Sequence, residues 1–261
     1  MPTFLPKLIL TPLLVGGASL AQRRWGAQIG GWIVALPLTS GPIILFVALD
    51  QSAALAANVA HGALAGVIAE AGFCLAYATM CRRSATLGAL AAGIAGFVLV
   101  GLLVPEMAPP VTFVIALVAL GGTLLVLPSP AVDPHRVAIT PPAWDVPARI
   151  IVATCLVLLL TTVAPAIGGR AAGIIATFPI YASVLTTFAQ RTRGPAEAIL
   201  VLRGLLYGLP GFATFCLLVG ALLVSTSIAL AFTLSLGAAF VIQGTTLLVL
   251  MTRGSRGASR S

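Results

Sequence analysis

Charge is scarce in this chain. Asp, Glu, Lys and Arg make up 8% of its 261 residues, whereas soluble domains carry about 25%, so water is not its main solvent. Histidine is scarcer still, with His61 and His135 alone, and only six residues are acidic. These yield no paired carboxylates, zinc-ligand spacing or nucleophile elbow, so the chain is not read as an enzyme. The four cysteines (Cys74, Cys81, Cys155, Cys216) lie in or at the ends of apolar runs without a Cys-x-x-Cys pair. Neither a metal site nor a disulfide framework is therefore expected. A nucleotide-binding loop is also missing, and no cofactor is implied, so any energy for work must come from an ion gradient or a separate subunit. No ring of charged side chains points to a channel. The run from Lys7 to Arg23-Arg24 lacks a small-residue cleavage pattern, so no removable signal peptide is expected.

What the chain has in abundance is apolar sequence. It is 59% hydrophobic, with a mean hydropathy of +1.12, and apolar runs long enough to cross a hydrocarbon core of about 30 Å recur throughout. Lipid cannot satisfy free backbone groups, which leaves helices or a closed barrel. The runs show none of the alternation of barrel strands. The expected fold is all-α, a polytopic helix bundle in contact with membrane lipids. The net charge of +8 does not point to nucleic acid, because the basic residues sit in pairs between apolar runs, as membrane-flanking residues do.

The runs predict nine spans: 4–21, 27–49, 54–80, 85–104, 111–127, 148–166, 171–189, 196–222 and 226–251. Residues 26–75 return at 168–217, shifted by 142 positions, with 15 identities in 50 aligned positions. The pairs include Gly31 with Gly173, Pro37 with Pro179, Gly62 with Gly204 and Cys74 with Cys216. Three segments follow: a first repeat of four spans at 1–104, a linker span with a Pro-rich cytoplasmic loop at 105–147, and a second repeat with a short basic tail at 148–261. With nine spans, eleven arginines fall on one side, while Lys7 and Arg170 fall on the other and Arg203 lies within span eight. Such a bias places the N-terminus outside and the C-terminus in the cytoplasm of a bacterial-type inner membrane. A shift across five spans, an odd number, makes the repeats inverted, a recurrent plan of secondary transporters.

The second repeat resembles the small inner-membrane proteins of the GlpM family. The resemblance is carried by Ala172-Gly173-Ile174, Phe178-Pro179, Arg193-Gly194, Leu202-Arg203 and Pro210 with Phe212. Members of that family are four-span proteins of about one repeat's length, which implies that this chain is a fused pair of such units. The first repeat keeps Gly31 and Pro37 but has Leu36, Gln51-Ser52 and His61 at the other matching positions. The family is associated with glycerol metabolism and alginate production, without a settled biochemical role.

Chemistry is expected where helices break and where charge is buried. Pro37-Leu38-Thr39-Ser40-Gly41-Pro42 in span two predicts an unwound segment at mid-depth, with Pro37, Thr39 and Ser40 as candidate binding residues. Its counterpart, Pro179-Ile180-Tyr181-Ala182-Ser183, has one proline and predicts a kink rather than a break, with Pro179 and Tyr181 as further candidates. Glu70 falls near the middle of span three, where a charge costs several kcal/mol unless paired or wetted. It shares a face with Cys74 and Tyr77. Arg203, with Tyr207 on its face, lies two turns into span eight and must snorkel, pair or meet an anion. Its equivalent in the first repeat is His61, so the two form a mirrored gate or relay candidate. Gly62-x-x-x-Gly66 and Gly204-x-x-x-Gly208 predict packing seams.

The sequence thus supports a proton-coupled secondary transporter or exporter of a small neutral or weakly anionic solute, with Glu70 carrying the proton. The alternative is a non-transporting structural or assembly subunit of an envelope or exopolysaccharide-related membrane complex. Both are compatible with a homo-oligomer or a place in a larger membrane complex.

Overall fold

A computed structural model of the chain describes residues 4–37, 40–128, 144, 146–148, 150–152, 154–155 and 169–258. Its ordered elements are all helices: α1 (Phe4–Trp25), α2 (Ala27–Val34), α3 (Ser40–Asp50), α4 (Ala53–Met80), α5 (Thr86–Leu103), α6 (Pro109–Val126), α7 (Gly169–Ala176), α8 (Ile180–Arg193), α9 (Pro195–Leu222) and α10 (Ile228–Ala258). Six stretches among the described residues are long and apolar enough to cross a membrane: Ala53–Met80, Thr86–Leu103, Pro109–Val126, Gly173–Arg193, Pro195–Leu222 and Ile228–Thr252. The chain is a multi-pass helical membrane protein on that basis. Helix α1 covers the first expected span but is not among the six. The expected span 148–166 and the Pro-rich connector lie largely outside the described residues.

The expected span 27–49 is two helices rather than one. The cause is Pro37, which lacks an N–H and disfavours helical geometry at Leu36 before it. Helix α2 closes in a tighter turn, with Ala35 N–H donating to Trp32 O at 3.2 Å and Leu36 N–H to Ile33 O at 3.1 Å. Pro179 acts the same way. Helix α7 closes with Thr177 N–H donating to Ile174 O at 3.1 Å and Phe178 N–H to Ile175 O at 3.0 Å. The chain restarts with Gly41 N–H donating to Pro37 O (3.1 Å) in the first case and Ser183 N–H to Pro179 O (2.7 Å) in the second. A mere kink was expected at Pro179; instead the helix is interrupted between Ala176 and Ile180.

Helices α4 and α9 form the centre. Of their most apolar windows, 78% and 67% are buried, against 17% for α5 and 22% for α6 and α10. The outer three therefore present large apolar side chains such as Leu102, Leu125 and Val241 at the surface, as helices facing lipid do. Each central helix begins at a defined stop. Ser52 Oγ accepts from Leu55 N–H at 3.1 Å at the start of α4. Gly194, at φ 93°, and Pro195 open α9; glycine tolerates that φ and proline suits the first helical position.

Two glycine seams lock the centre. A Cβ on Gly31 of α2 would collide with the Val201 carbonyl of α9, and one on Gly173 of α7 with the Val59 carbonyl of α4. The facing pairs behave alike: Gly62 of α4 abuts the Arg170 backbone of α7, and Gly204 of α9 abuts the Gln28 backbone of α2. Backbones this close require a hydrogen atom in place of a side chain.

Candidate functional site

The two helix breaks meet at the middle of the molecule. Between them lies a cavity of about 50 Å³, room for a few waters, since one needs about 10–15 Å³ on this measure. The first break contributes Val34, Ala35, Leu36 and Ser40, and the second contributes residues 176–181. Leu205, Leu209 and Phe212 of α9 close one wall, and Glu70 of α4 is the acidic group among the described lining residues. Two helix C-terminal ends (α2, α7) and two N-terminal ends (α3, α8) thus point at one small volume. Each such end leaves carbonyls or N–H groups without intrahelical partners and carries a partial charge.

Glu70 is 6% exposed. The Cys74 and Cys216 thiols lie near it. No hydrogen bond or ion pair reaches its carboxyl among the described residues. A carboxyl in that position can bind a proton, a small cation or water, but has no built-in counter-ion. Ser40 Oγ donates to the Ala176 carbonyl at 3.2 Å, tying one break to the other across the cavity. Phe178 is wedged by Phe97 of α5, with ring centroids 5.2 Å apart at an interplanar angle of 88°.

The expected site residues divide into two groups. Glu70, Ser40, Pro179 and Tyr181 line the cavity, and Pro37 is buried at the first break beside it. Thr39 lies outside the described residues. Arg203, His61 and Tyr207 do not line it. The Arg203 Nη2 donates to the Leu127 carbonyl at 3.0 Å, where α6 ends, while its Nε is buried without a partner. A cation at the C-terminal carbonyls of a helix complements their partial negative charge. Arg170 does the same for α5, donating to Val104 O at 2.9 Å and Pro105 O at 2.8 Å. Glu197 pairs with Arg193 at 3.0 Å rather than with Arg203. His61 is half-buried, with its ring against Gly220 near the far end of α9. His61 and Arg203 are therefore not brought together.

One polar link was not visible in the sequence. Tyr77 Oη donates to Gln190 Oε1 at 2.8 Å, and Gln190 Nε2 donates to the Cys81 carbonyl at 3.1 Å, all three residues being buried. The signal that would have found it is the spacing Ser183, Thr186, Thr187, Gln190, a polar stripe in an otherwise apolar span. No cluster of potential metal ligands exists among the described residues. No family model matches the chain, and no curated protein or solved structure is detectably similar to it.

Proposed function

We propose that this protein is a proton-coupled secondary transporter of a small solute, with two inverted repeats and its site at the Glu70 cavity. The observation that carries it is the convergence of two interrupted helices on one unpaired, buried carboxyl. Interrupted helices at mid-depth are tolerated where they line a cavity, and that is where transporters hold solutes and coupling ions.

The inverted arrangement has three supports. The helix bounds recur at the same shift as the sequence: α2 with α7, α4 with α9, and the starts of α5 and α10. The glycine contacts are reciprocal, since Gly31–Val201 and Val59–Gly173 exchange under that shift, as do Gly62–Arg170 and Gln28–Gly204. Reciprocity of this kind is the mark of a two-fold relation. Finally, His61 early in α4 touches Gly220 late in α9, while Glu70 and Phe212 meet at the cavity near both midpoints. Two such contacts imply helices running in opposite senses. Nine crossings, an outside N-terminus and a bacterial inner membrane complete the proposal, together with a kinship to the GlpM family that rests on the quoted motifs.

Arg203 caps α6 and no cation lines the cavity among the described residues, so the solute is better taken as cationic or neutral than anionic. In the cycle, the carboxyl holds a proton or the solute in turn, and rocking of one repeat against the other opens the cavity to each side. The test is reconstitution in vesicles loaded with a pH-sensitive dye, with sodium, potassium, chloride and glycerol offered in turn under an imposed pH gradient. At least one should move protons in the native protein and none in Glu70→Gln of equal abundance. Absence of flux for all four, with stoichiometric recovery of a membrane partner, would instead support the structural-subunit role.

A further inference from the structure

Six buried polar side-chain atoms lack a partner among the described residues, and three of them are consecutive hydroxyls on α8: Ser183 Oγ, Thr186 Oγ1 and Thr187 Oγ1. This is not the habit of the chain. Elsewhere helix hydroxyls turn back on their own backbone, as Thr154, Thr214 and Ser235 do, each donating to the carbonyl four residues earlier. At these three positions of α8 that internal partner is forgone, while Thr192 near its end keeps one. Thr187 lies beside the Tyr77 hydroxyl without a hydrogen bond of ordinary geometry.

The three hydroxyls share one face of α8 with Ile180 at the cavity and Gln190 at the other end. The other faces of α8 are occupied: Tyr181 and Val184 pack with Ile180, Val34 and Phe188, and Leu185 and Ala189 pack with Ala27 and Val201. The Glu70, Cys74, Tyr77 face of α4 begins at the same cavity and meets this stripe at its far end, about 10 Å on, where Tyr77 reaches Gln190. Tyr77 and Gln190 join hands there, next to Arg82, Arg83, Arg191 and Arg193. Unpartnered buried hydroxyls in a row are where ordered water resides, each water binding about three otherwise unsatisfied groups.

We propose that these two faces enclose a water-bearing proton route from Glu70 to the arginine-bearing end of the molecule, latched by the Tyr77–Gln190 hydrogen bond. A proton leaves the Glu70 carboxyl oxygen for the first water, each water accepts one and passes one on, and the last is released at the latch. Recharging reverses the sequence. The ionisable neighbours of Glu70 are Cys74 on its own helix, Cys216 from α9 and Tyr181 from α8. The matching path on the opposite side is dry: Ser183, Thr186, Thr187 and Gln190 correspond to Gly41, Ile44, Leu45 and Ala48, and Tyr77 to Val219. Water access to the carboxyl is thus one-sided although the helix framework is nearly symmetric. The proposal rests on Glu70 as the proton-carrying group.

The chain carries its own paired reporters, Cys74 on the wet path and Cys216 at the equivalent place on the dry one, both buried. The full chain in vesicles is treated with 2-aminoethyl methanethiosulfonate, and the modification of each thiol is followed by peptide mass spectrometry. In Gln190→Ala, which opens the latch, Cys74 should react at least tenfold faster than Cys216. Adding Ser183→Val and Thr187→Val to that variant should return Cys74 to the Cys216 rate. Equal rates in Gln190→Ala, a faster Cys216, or no modification of either thiol would overturn the route. Labelling requires no transport, so a Cys74-selective reaction in a protein that moves no solute would sink the transporter role and leave the water path standing.

Discussion

The glycine seams can be tested by adding one methyl group. In Gly62→Ala the new Cβ would meet the Arg170 carbonyl oxygen, with its carbon and Cα at 3.0 Å. All of these are backbone atoms, so no side chain can swing aside and α4 and α7 must part. Forced overpacking costs about 3 kcal/mol at its upper end, and alanine returns about 1 kcal/mol of helix propensity. The net expectation is a loss of about 2 kcal/mol, or about 4–8 °C in a chain of this size. Gly122 of α6 supplies the control, because nothing lies within 4 Å of its would-be Cβ. Gly122→Ala should keep the propensity gain and be neutral or stabilised by up to about 1 kcal/mol. Thermal unfolding of both variants in the same detergent, followed by tryptophan fluorescence, reads the difference. If Gly62→Ala melts at or above the native temperature, the close approach of α4 and α7 is wrong, and with it the reciprocal packing.

Two further expectations concern single side chains. Arg203→Met removes the cap on the α6 carbonyls, so it should lower the melting temperature by a few degrees for a loss of about 1–2 kcal/mol. It should leave the solute KM within about threefold, since that side chain does not line the cavity; a larger KM change with unaltered stability would put the guanidinium in the solute path. Cys81, just beyond the α4 span, is pushed up to about 11 by burial, although Arg82 pulls the other way. Only the thiolate reacts, so iodoacetamide labelling of Cys81 should be slow at pH 8 and climb about tenfold per pH unit towards 11. A plateau below pH 9, read by peptide mass spectrometry, would contradict that environment.

The long central helices were legible because nothing interrupts them: the expected runs 54–80 and 196–222 fall within a residue of Ala53–Met80 and Pro195–Leu222. Pro37 and Pro179 marked the breaks, since loss of an N–H and the constraint on Leu36 and Phe178 are local effects that a sequence carries on its face. The depth of Glu70 was equally local. What the sequence hid depends on rotation of one helix about its axis. Tyr77 and Gln190 are 113 residues apart, and only the turn of α8 relative to α4 makes them meet. Arg203 stands about two turns into α9, but its partner is a main-chain carbonyl, a group every residue has and no sequence pattern reveals. The Pro-rich connector and the span at 148–166 fall largely outside the described residues.

Because α2 nests on α9 and α7 on α4, each half of the chain carries a complement of the other. A lone half would display an open glycine groove, and two separately made halves should seek each other out as the halves of a split protein do. The covalent joint between them then serves chiefly to set local concentration, so that assembly inside the bilayer becomes a one-molecule event independent of how much protein the membrane holds.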